Sequence, residues 1–221
     1  MENKFVEEYN TVFSDYISIL RKILTLTEKL KIILNDNCKE SNFFNTATKF
    51  AEISIDTSHC IIDYLSSGYI AHSFILLRWL LEMSHLCYYL EMNPKEYEKW
   101  LKGEHIRPKD IGSYIEGIGF HPWKETYFDW SNVVHGNANF VESYDVISKK
   151  SSKNNSIILI GNAIMNLIWF TQKFNFNFGQ ILKPHLGNQH NEIVKEYNEI
   201  DDEITKLTDS QKNRERDVMN S

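Results

Sequence analysis

Four side chains that can carry charge or exchange protons follow one another at helical spacing inside an otherwise apolar segment. They are Arg78, Glu82, His85 and Tyr89, and the surrounding residues 69–90 are mostly leucine, isoleucine, phenylalanine, tryptophan and tyrosine. At 100° per residue, these four positions fall within a sector of about 60° on a helix. A helix that is apolar almost all round belongs in a protein core, where charges must be paired or used. The stripe therefore predicts either a structural ion pair or a working site.

The chemistry open to this stripe is the binding and cleavage of a phosphodiester. Arg78 and Glu82 are four residues apart, so their side chains can meet, and His85 lies one turn further along. Arginine is a fixed cation whose fork suits phosphate or carboxylate, and histidine can move protons near neutral pH. The alternative is a buried Arg–Glu pair that locks neighbouring helices, with His85 as an ordinary hydrogen-bonded polar residue. Residue types alone favour this structural alternative.

A second polar cluster occupies residues 130–137. Ser131 and His135 are spaced to share one helical face, and Gly136 suits the left-handed residue that ends a helix. His135 would then lie in the last turn, where the helix dipole favours its protonated form. We therefore add His135 to Arg78, Glu82 and His85 as a candidate catalytic residue; the alternative is that it only caps carbonyl groups. The candidate binding residues are Ser131, Asn132, Asn137 and Tyr89.

Helical periodicity predicts the elements that position these residues. The predicted helices cover residues 3–35, 42–65, 69–92, 94–102, 108–118, 122–135, 156–178 and 190–216, with a polar loop and a short hairpin (140–147) between the sixth and seventh. The first of these helices has a polar gap at Thr27 in its apolar stripe. Asn93-Pro94 has the form of a cap followed by a proline in the first turn, and Gly103 predicts the end of the next helix.

Composition favours one helical core. The chain has 221 residues, 42% of them hydrophobic, with only four prolines and nine glycines, and no strand–helix alternation indicates a parallel sheet. We therefore expect an all-α, single-domain up-and-down helical bundle with two long apolar central helices, 69–92 and 156–178. Residues 1–189 would form the bundle. Residues 190–221 would form a charged C-terminal helix and tail, either in the same domain or docked on a partner.

Charge and cysteine content restrict the classes of function. The formal net charge of -6 argues against a protein that coats nucleic acid generally, although a local basic site remains open. Three cysteines without close spacing (Cys38, Cys60 and Cys87) predict neither a disulfide framework nor a zinc knuckle. We expect no metal and no cofactor. The acidic N-terminus has no apolar signal core, and the charges in 69–92 interrupt its apolar run, so we expect a cytoplasmic protein with no membrane partner.

The spacing of Arg78 and His85 has the form R-x6-H, which resembles the defining motif of the HEPN superfamily. These are small all-helical proteins found widely in toxin–antitoxin and antiphage systems. The run from Leu76 to Glu82, followed by Ser131 to Gly136, is also similar to a group of uncharacterised bacterial helical proteins with an LLRxxxE…SxxxHG pattern. That similarity covers about residues 45–140.

The resemblance implies a toxin or antiphage-defence protein that cleaves RNA without a metal and acts as a homodimer. The arginine (Arg78) would stabilise phosphate charge, and the histidine (His85) would act as acid or base on the ribose 2′-hydroxyl. RNA and an antitoxin or other protein are the partners that this function implies; Glu82 and His135 are proposed from the residues alone. Two alternatives stay open: a non-catalytic helical interaction module, and a small-ligand or nucleotide sensor in which Arg78 grips a phosphate or carboxylate in an interhelical pocket.

Overall fold

The structure is a computed structural model that describes residues 11–37, 42–67, 69–117 and 153–219. These residues form α-helices and two short 3₁₀ turns, Lys183–His185 and Gly187–Gln189, with no strand among them, so the all-α prediction is confirmed. The helices are α1 (Ser14–Asn37), α2 (Asn42–Ser66), α3 (Ile70–Met92), α4 (Pro94–Leu101), α5 (Pro108–Gly117), α6 (Lys153–Leu182) and α7 (His190–Met219). Most of their bounds lie within a few residues of the predicted ones. The first helix, predicted from residue 3, instead begins at Ser14 after a turn at Phe13, and α6 begins within the predicted loop and runs to Leu182 rather than residue 178. The predicted helix at 122–135 and the predicted hairpin at 140–147 lie outside the described residues.

Helix α6 packs against α1, α2, α3 and α7, and α3 packs against α2, α5 and α6. The core between them is dense in large side chains. Phe174 and Phe178, both fully buried on α6, stack with their ring centroids 4.5 Å apart. Aromatic pairs of this kind bury large apolar areas, which is the main favourable contribution to folding. No helix within the described residues combines the length and apolarity needed to cross a membrane.

Thr27, the polar gap in the apolar stripe of α1, has a partner on α6. Its hydroxyl lies 2.7 Å from Asn175 Oδ1 and 3.0 Å from the carbonyl of Ile23, and Asn175 Nδ2 donates to that same carbonyl at 3.0 Å. Thr27 and Asn175 are both buried. The gap is therefore a buried hydrogen-bonded bridge between two helices, as burial of polar groups requires.

The C-terminal helix α7 packs on α1 and α6 of this chain. Its buried face contains Ile193, Ile200, Ile204 and Leu207. At the edge of this contact, Lys29 binds Glu192 and Glu196 at 2.9 Å, and Lys22 binds Glu203 at 2.6 Å. These pairs are largely exposed, so they contribute little to stability and mainly set the alignment of the two helices.

A half-buried lysine on α6 predicts a pH-dependent gain in stability. Burial lowers the pKa of Lys173 to about 8, against the opposing charge of Asp201. Because the folded pKa lies below the ordinary value, the charged lysine destabilises the fold below about pH 8, and the penalty shrinks as pH rises. Lys173→Met should therefore raise the free energy of unfolding at pH 7 by about 1 kcal/mol, a figure discounted for the exposed half of the side chain. Urea unfolding at pH 7 and pH 10 checks this: an equal gain at both pH values would contradict it.

Candidate functional site

The ion pair expected on α3 is present. Arg78 Nε donates to Glu82 Oε1 at 2.9 Å, one helical turn away. The two partners differ in exposure, since the Arg78 side chain is 10% exposed and that of Glu82 is 31% exposed. The guanidinium thus lies on the core side of the pair and the carboxylate on the solvent side. A bond of this kind holds Glu82 in one orientation.

His85 lies behind this pair and is fully buried. Its Nδ1 is 2.8 Å from the carbonyl oxygen of Leu81. A carbonyl oxygen can only accept, so Nδ1 carries the hydrogen and donates it to the backbone of its own helix. One ring nitrogen of His85 is therefore committed to α3, and the ring has no surface that solvent reaches.

The remaining predicted site residues divide into one on α3 and four elsewhere. Tyr89 is buried, and its ring meets that of Tyr114 edge to face at 5.4 Å. Burial, and to a lesser extent Glu96 and Asp110, raises the pKa of Tyr89, so it stays neutral at physiological pH. The other four predicted residues, Ser131, Asn132, His135 and Asn137, lie outside the described residues. The structure therefore brings together Arg78 and Glu82, with His85 one turn beyond.

A cleft of about 340 Å³ opens between α3, α4 and α5 on the solvent side of Glu82. We call it the tryptophan cleft. The described residues that line it are Trp79, Glu82, Met83, Leu86, Trp100, Gly103, Glu104, His105, Ile106, Pro108 and Ile111. Glu82 belongs to this wall, whereas Arg78 is absent from the described lining residues. Of the two partners of the ion pair, Glu82 is thus the one that lines the cleft.

Two helices supply the aromatic walls of the tryptophan cleft. On α3, Trp79, Met83 and Leu86 recur at helical spacing beside Glu82 and form a second face of that helix. On α4, Trp100 stacks on Tyr97 with ring centroids 6.2 Å apart. Helices α3 and α4 meet at Asn93, where the chain changes direction. The side-chain Nδ2 of Asn93 donates to the Tyr89 carbonyl at 2.8 Å. The predicted cap residue therefore closes the end of α3 and makes no side-chain cap on α4.

The rim of the tryptophan cleft is fixed by the end of α4. Gly103 has a φ of 82° and its N–H donates to the Trp100 carbonyl, while the Glu104 N–H reaches back to Lys99. These two bonds form a Schellman motif, which commonly closes a helix at glycine. The motif carries Glu104 to the rim, four residues after Trp100, and both residues line the cleft.

Substitution by alanine should therefore change the free energy of unfolding in opposite directions at two glycines. At Gly103 an added Cβ meets nothing within 4 Å, so the cost is purely that of the left-handed backbone, and Gly103→Ala should lower the free energy of unfolding by about 1 kcal/mol. At the helical Gly179 an added Cβ also meets nothing within 4 Å, so Gly179→Ala should raise stability by about 0.5–1 kcal/mol. Thermal or urea unfolding of the two variants measures both signs. Two changes of the same sign would contradict the assignment.

The charges that line the tryptophan cleft are negative. Glu82 and Glu104 are the two acidic lining residues, and His105 is the other ionisable one; no lysine or arginine occurs among the lining residues that the structure describes. Sequence reasoning did not find Trp100 or Glu104 as site residues. Their only sequence signal is the tryptophan three residues before Gly103, the glycine that ends the helix.

Comparison with known proteins adds no family. No protein-family model matches the chain, and no curated protein or solved structure does so either.

Proposed function

We propose that this chain is a non-catalytic helical binding module whose binding site is the tryptophan cleft. The observation that carries the proposal is the division of the polar stripe on α3. Glu82 reaches the cleft wall, while Arg78 and His85 lie in the core behind it. Buried hydrogen-bonded groups beneath a site hold its side chains in fixed orientations.

Arg78 acts in this proposal through Glu82. Its Nε–H holds one carboxylate oxygen at 2.9 Å, which fixes the direction of the carboxylate at the cleft wall. His85, bonded to its own helix at Leu81, is buried and is not among the described residues that line the cleft. The proposal therefore combines features of the interaction module and the small-ligand sensor, with the charge of the sensor site reversed from cationic to anionic.

The size and composition of the cleft support ligand binding. Its volume of about 340 Å³ falls within the range of small-molecule sites, which are mostly apolar with a few convergent polar groups. Two indole rings and several aliphatic side chains provide the apolar surface, and two carboxylates provide the polar groups.

A fragment screen that follows the indole N–H signals of the tryptophans by nuclear magnetic resonance tests this proposal. The chain has five tryptophans, whose indole N–H signals are assigned by single Trp→Phe variants. Fragments that bind the cleft should shift the signals of Trp79 and Trp100 and leave that of Trp169, an exposed residue on α6, unchanged. A screen without any fragment that shifts the first two signals selectively would overturn the proposal.

The ribonuclease hypothesis is the second candidate function. It is favoured by the position of Arg78 and His85 two turns apart on one helix, as the R-x6-H motif requires. A catalytic histidine must also come within about 3 Å of the proton that it transfers, and His85 has no exposed surface. We therefore place this function second.

Incubation with cellular RNA separates the two functions. We expect no cleavage by the purified chain, with and without a chelator. A cleavage activity that is lost in Arg78→Ala and His85→Ala, while both variants keep the far-ultraviolet spectrum and cooperative unfolding of the parent, would establish the ribonuclease and overturn the non-catalytic proposal.

A further inference from the structure

The charge lining the tryptophan cleft selects a positively charged ligand. An anion entering the cleft would meet the carboxylates of Glu82 and Glu104 without a lysine or arginine among the described lining residues. A neutral apolar ligand would displace water from these carboxylates and offer no hydrogen bond or charge in return, which is unfavourable. A cation is attracted by both carboxylates. Glu104, on the exposed rim, is the stronger attractor because Arg78 already bonds to Glu82.

The remaining lining residues restrict which kind of cation fits. Trp79 and Trp100 both line the cleft, and indole is the aromatic ring that attracts cations most strongly. The aliphatic side chains of Met83, Leu86 and Ile111 complete the wall. A divalent metal ion requires several oxygen ligands around it, which this wall does not provide. Alkyl groups attached to the charged nitrogen would instead pack on the indoles and the aliphatic side chains.

We infer that the tryptophan cleft binds a small organic cation whose charged nitrogen carries alkyl groups, a quaternary or tertiary ammonium compound. This inference rests on the proposed function, since it names the ligand class of the same cleft. The charged nitrogen lies against the indole faces and within reach of Glu104, and the rest of the molecule occupies the apolar part of the cleft.

Choline and its neutral carbon isostere, 3,3-dimethyl-1-butanol, test the inference in the full-length chain. The two probes have nearly the same shape and differ in charge, so titration calorimetry and the indole N–H signals measure the contribution of the charge. We expect choline to bind about tenfold more tightly than the isostere and to shift the signals of Trp79 and Trp100.

Matched variants locate the site. Glu104→Gln removes a rim charge at an exposed position, and we expect it to weaken choline binding about threefold or more; Trp100→Leu should weaken it about tenfold. The controls are Glu199→Gln on α7 and Trp169→Leu on α6, which change the same residue types at exposed positions away from the cleft. Both controls should bind choline as the parent does.

Four results would overturn the inference. Equal binding of the isostere, or equal losses in the control variants, would show that charge or location is wrong. Failure of choline to bind while other fragments shift Trp79 and Trp100 would remove the ligand class and leave the binding module. If no fragment shifts the signals of Trp79 and Trp100, both the binding module and its ammonium ligand are overturned.

Discussion

Replacing Glu82 by leucine is expected to lower the free energy of unfolding by about 3 kcal/mol, more than replacing its partner Arg78 by methionine. The order follows from their exposure. Without Glu82, a guanidinium that is 8% exposed by whole-residue area loses its carboxylate. Without Arg78, the carboxylate is still 31% exposed and water can solvate it, so we expect a cost of about 1–2 kcal/mol.

The double variant Arg78→Met/Glu82→Leu is expected to be within about 1 kcal/mol of the parent. Replacing both partners of a buried pair by apolar groups of similar volume removes the desolvation cost together with the attraction. The two single losses should therefore exceed the double loss, and the difference is the coupling energy of the pair.

Urea unfolding of the four proteins in this cycle measures the coupling. The exposed pair Lys22–Glu203, with side chains 51% and 37% exposed, is the control and should give a coupling below about 1 kcal/mol. If Glu82→Leu proves nearly neutral, the pair does not stabilise the fold. Arg78 and Glu82 would then be retained for a ligand or a reaction, and our assignment of Arg78 to the scaffold would fail.

Asn175→Asp is expected to cost about 4 kcal/mol at pH 7, although the two side chains have nearly the same shape. Asn175 is 1% exposed, and its Nδ2 donates to the Ile23 carbonyl at 3.0 Å. An ionised aspartate offers only acceptors, so it would face this carbonyl with like charge in the core. A protonated aspartic acid could still donate to the carbonyl and accept from Thr27.

The sign of the pH dependence follows from burial. Burial raises the pKa of the new carboxyl group in the folded state above its unfolded value of about 3.9. The variant therefore keeps nearly the parental stability below pH 4 and loses it as pH rises through the folded pKa. Unfolding of variant and parent from pH 4 to pH 7 measures the difference at each pH. Asn198→Asp, at an exposed position on α7, should show little pH-dependent difference; the same small difference at Asn175 would contradict the buried bridge.

Features that depend on neighbouring residues were predictable from the sequence. The helices follow from apolar periodicity, the Arg78–Glu82 bond from a spacing of four residues, and the end of α4 from Gly103. Each of these depends on residues within one or two turns of each other. The burial of Arg78, His85 and Tyr89 also followed from their apolar surroundings, whereas Glu82 is partly exposed.

The tryptophan cleft was not predictable in the same way. Trp79 and Trp100 lie on different helices, and the angle between these helices depends on the turn at Asn93. The partner of Thr27 is 148 residues away, so the polar gap in α1 could not be explained from α1. The direction in which Glu82 points was undetermined for a similar reason, since the cleft that it faces is formed by α4 and α5.

The bridge between Thr27 and Asn175 has a consequence for how the chain folds. It joins two helices across 148 residues, and α7 reaches the same first helix across a still longer separation, with 163 residues between Lys29 and Glu192. Contacts so distant in sequence form only after large loops have closed, which slows folding. On the ribosome, α1 emerges long before α6 and α7 are made. Among the described helices, α2 is the one that can pack on its apolar face first, and the bundle is completed once α6 and α7 have been made rather than helix by helix.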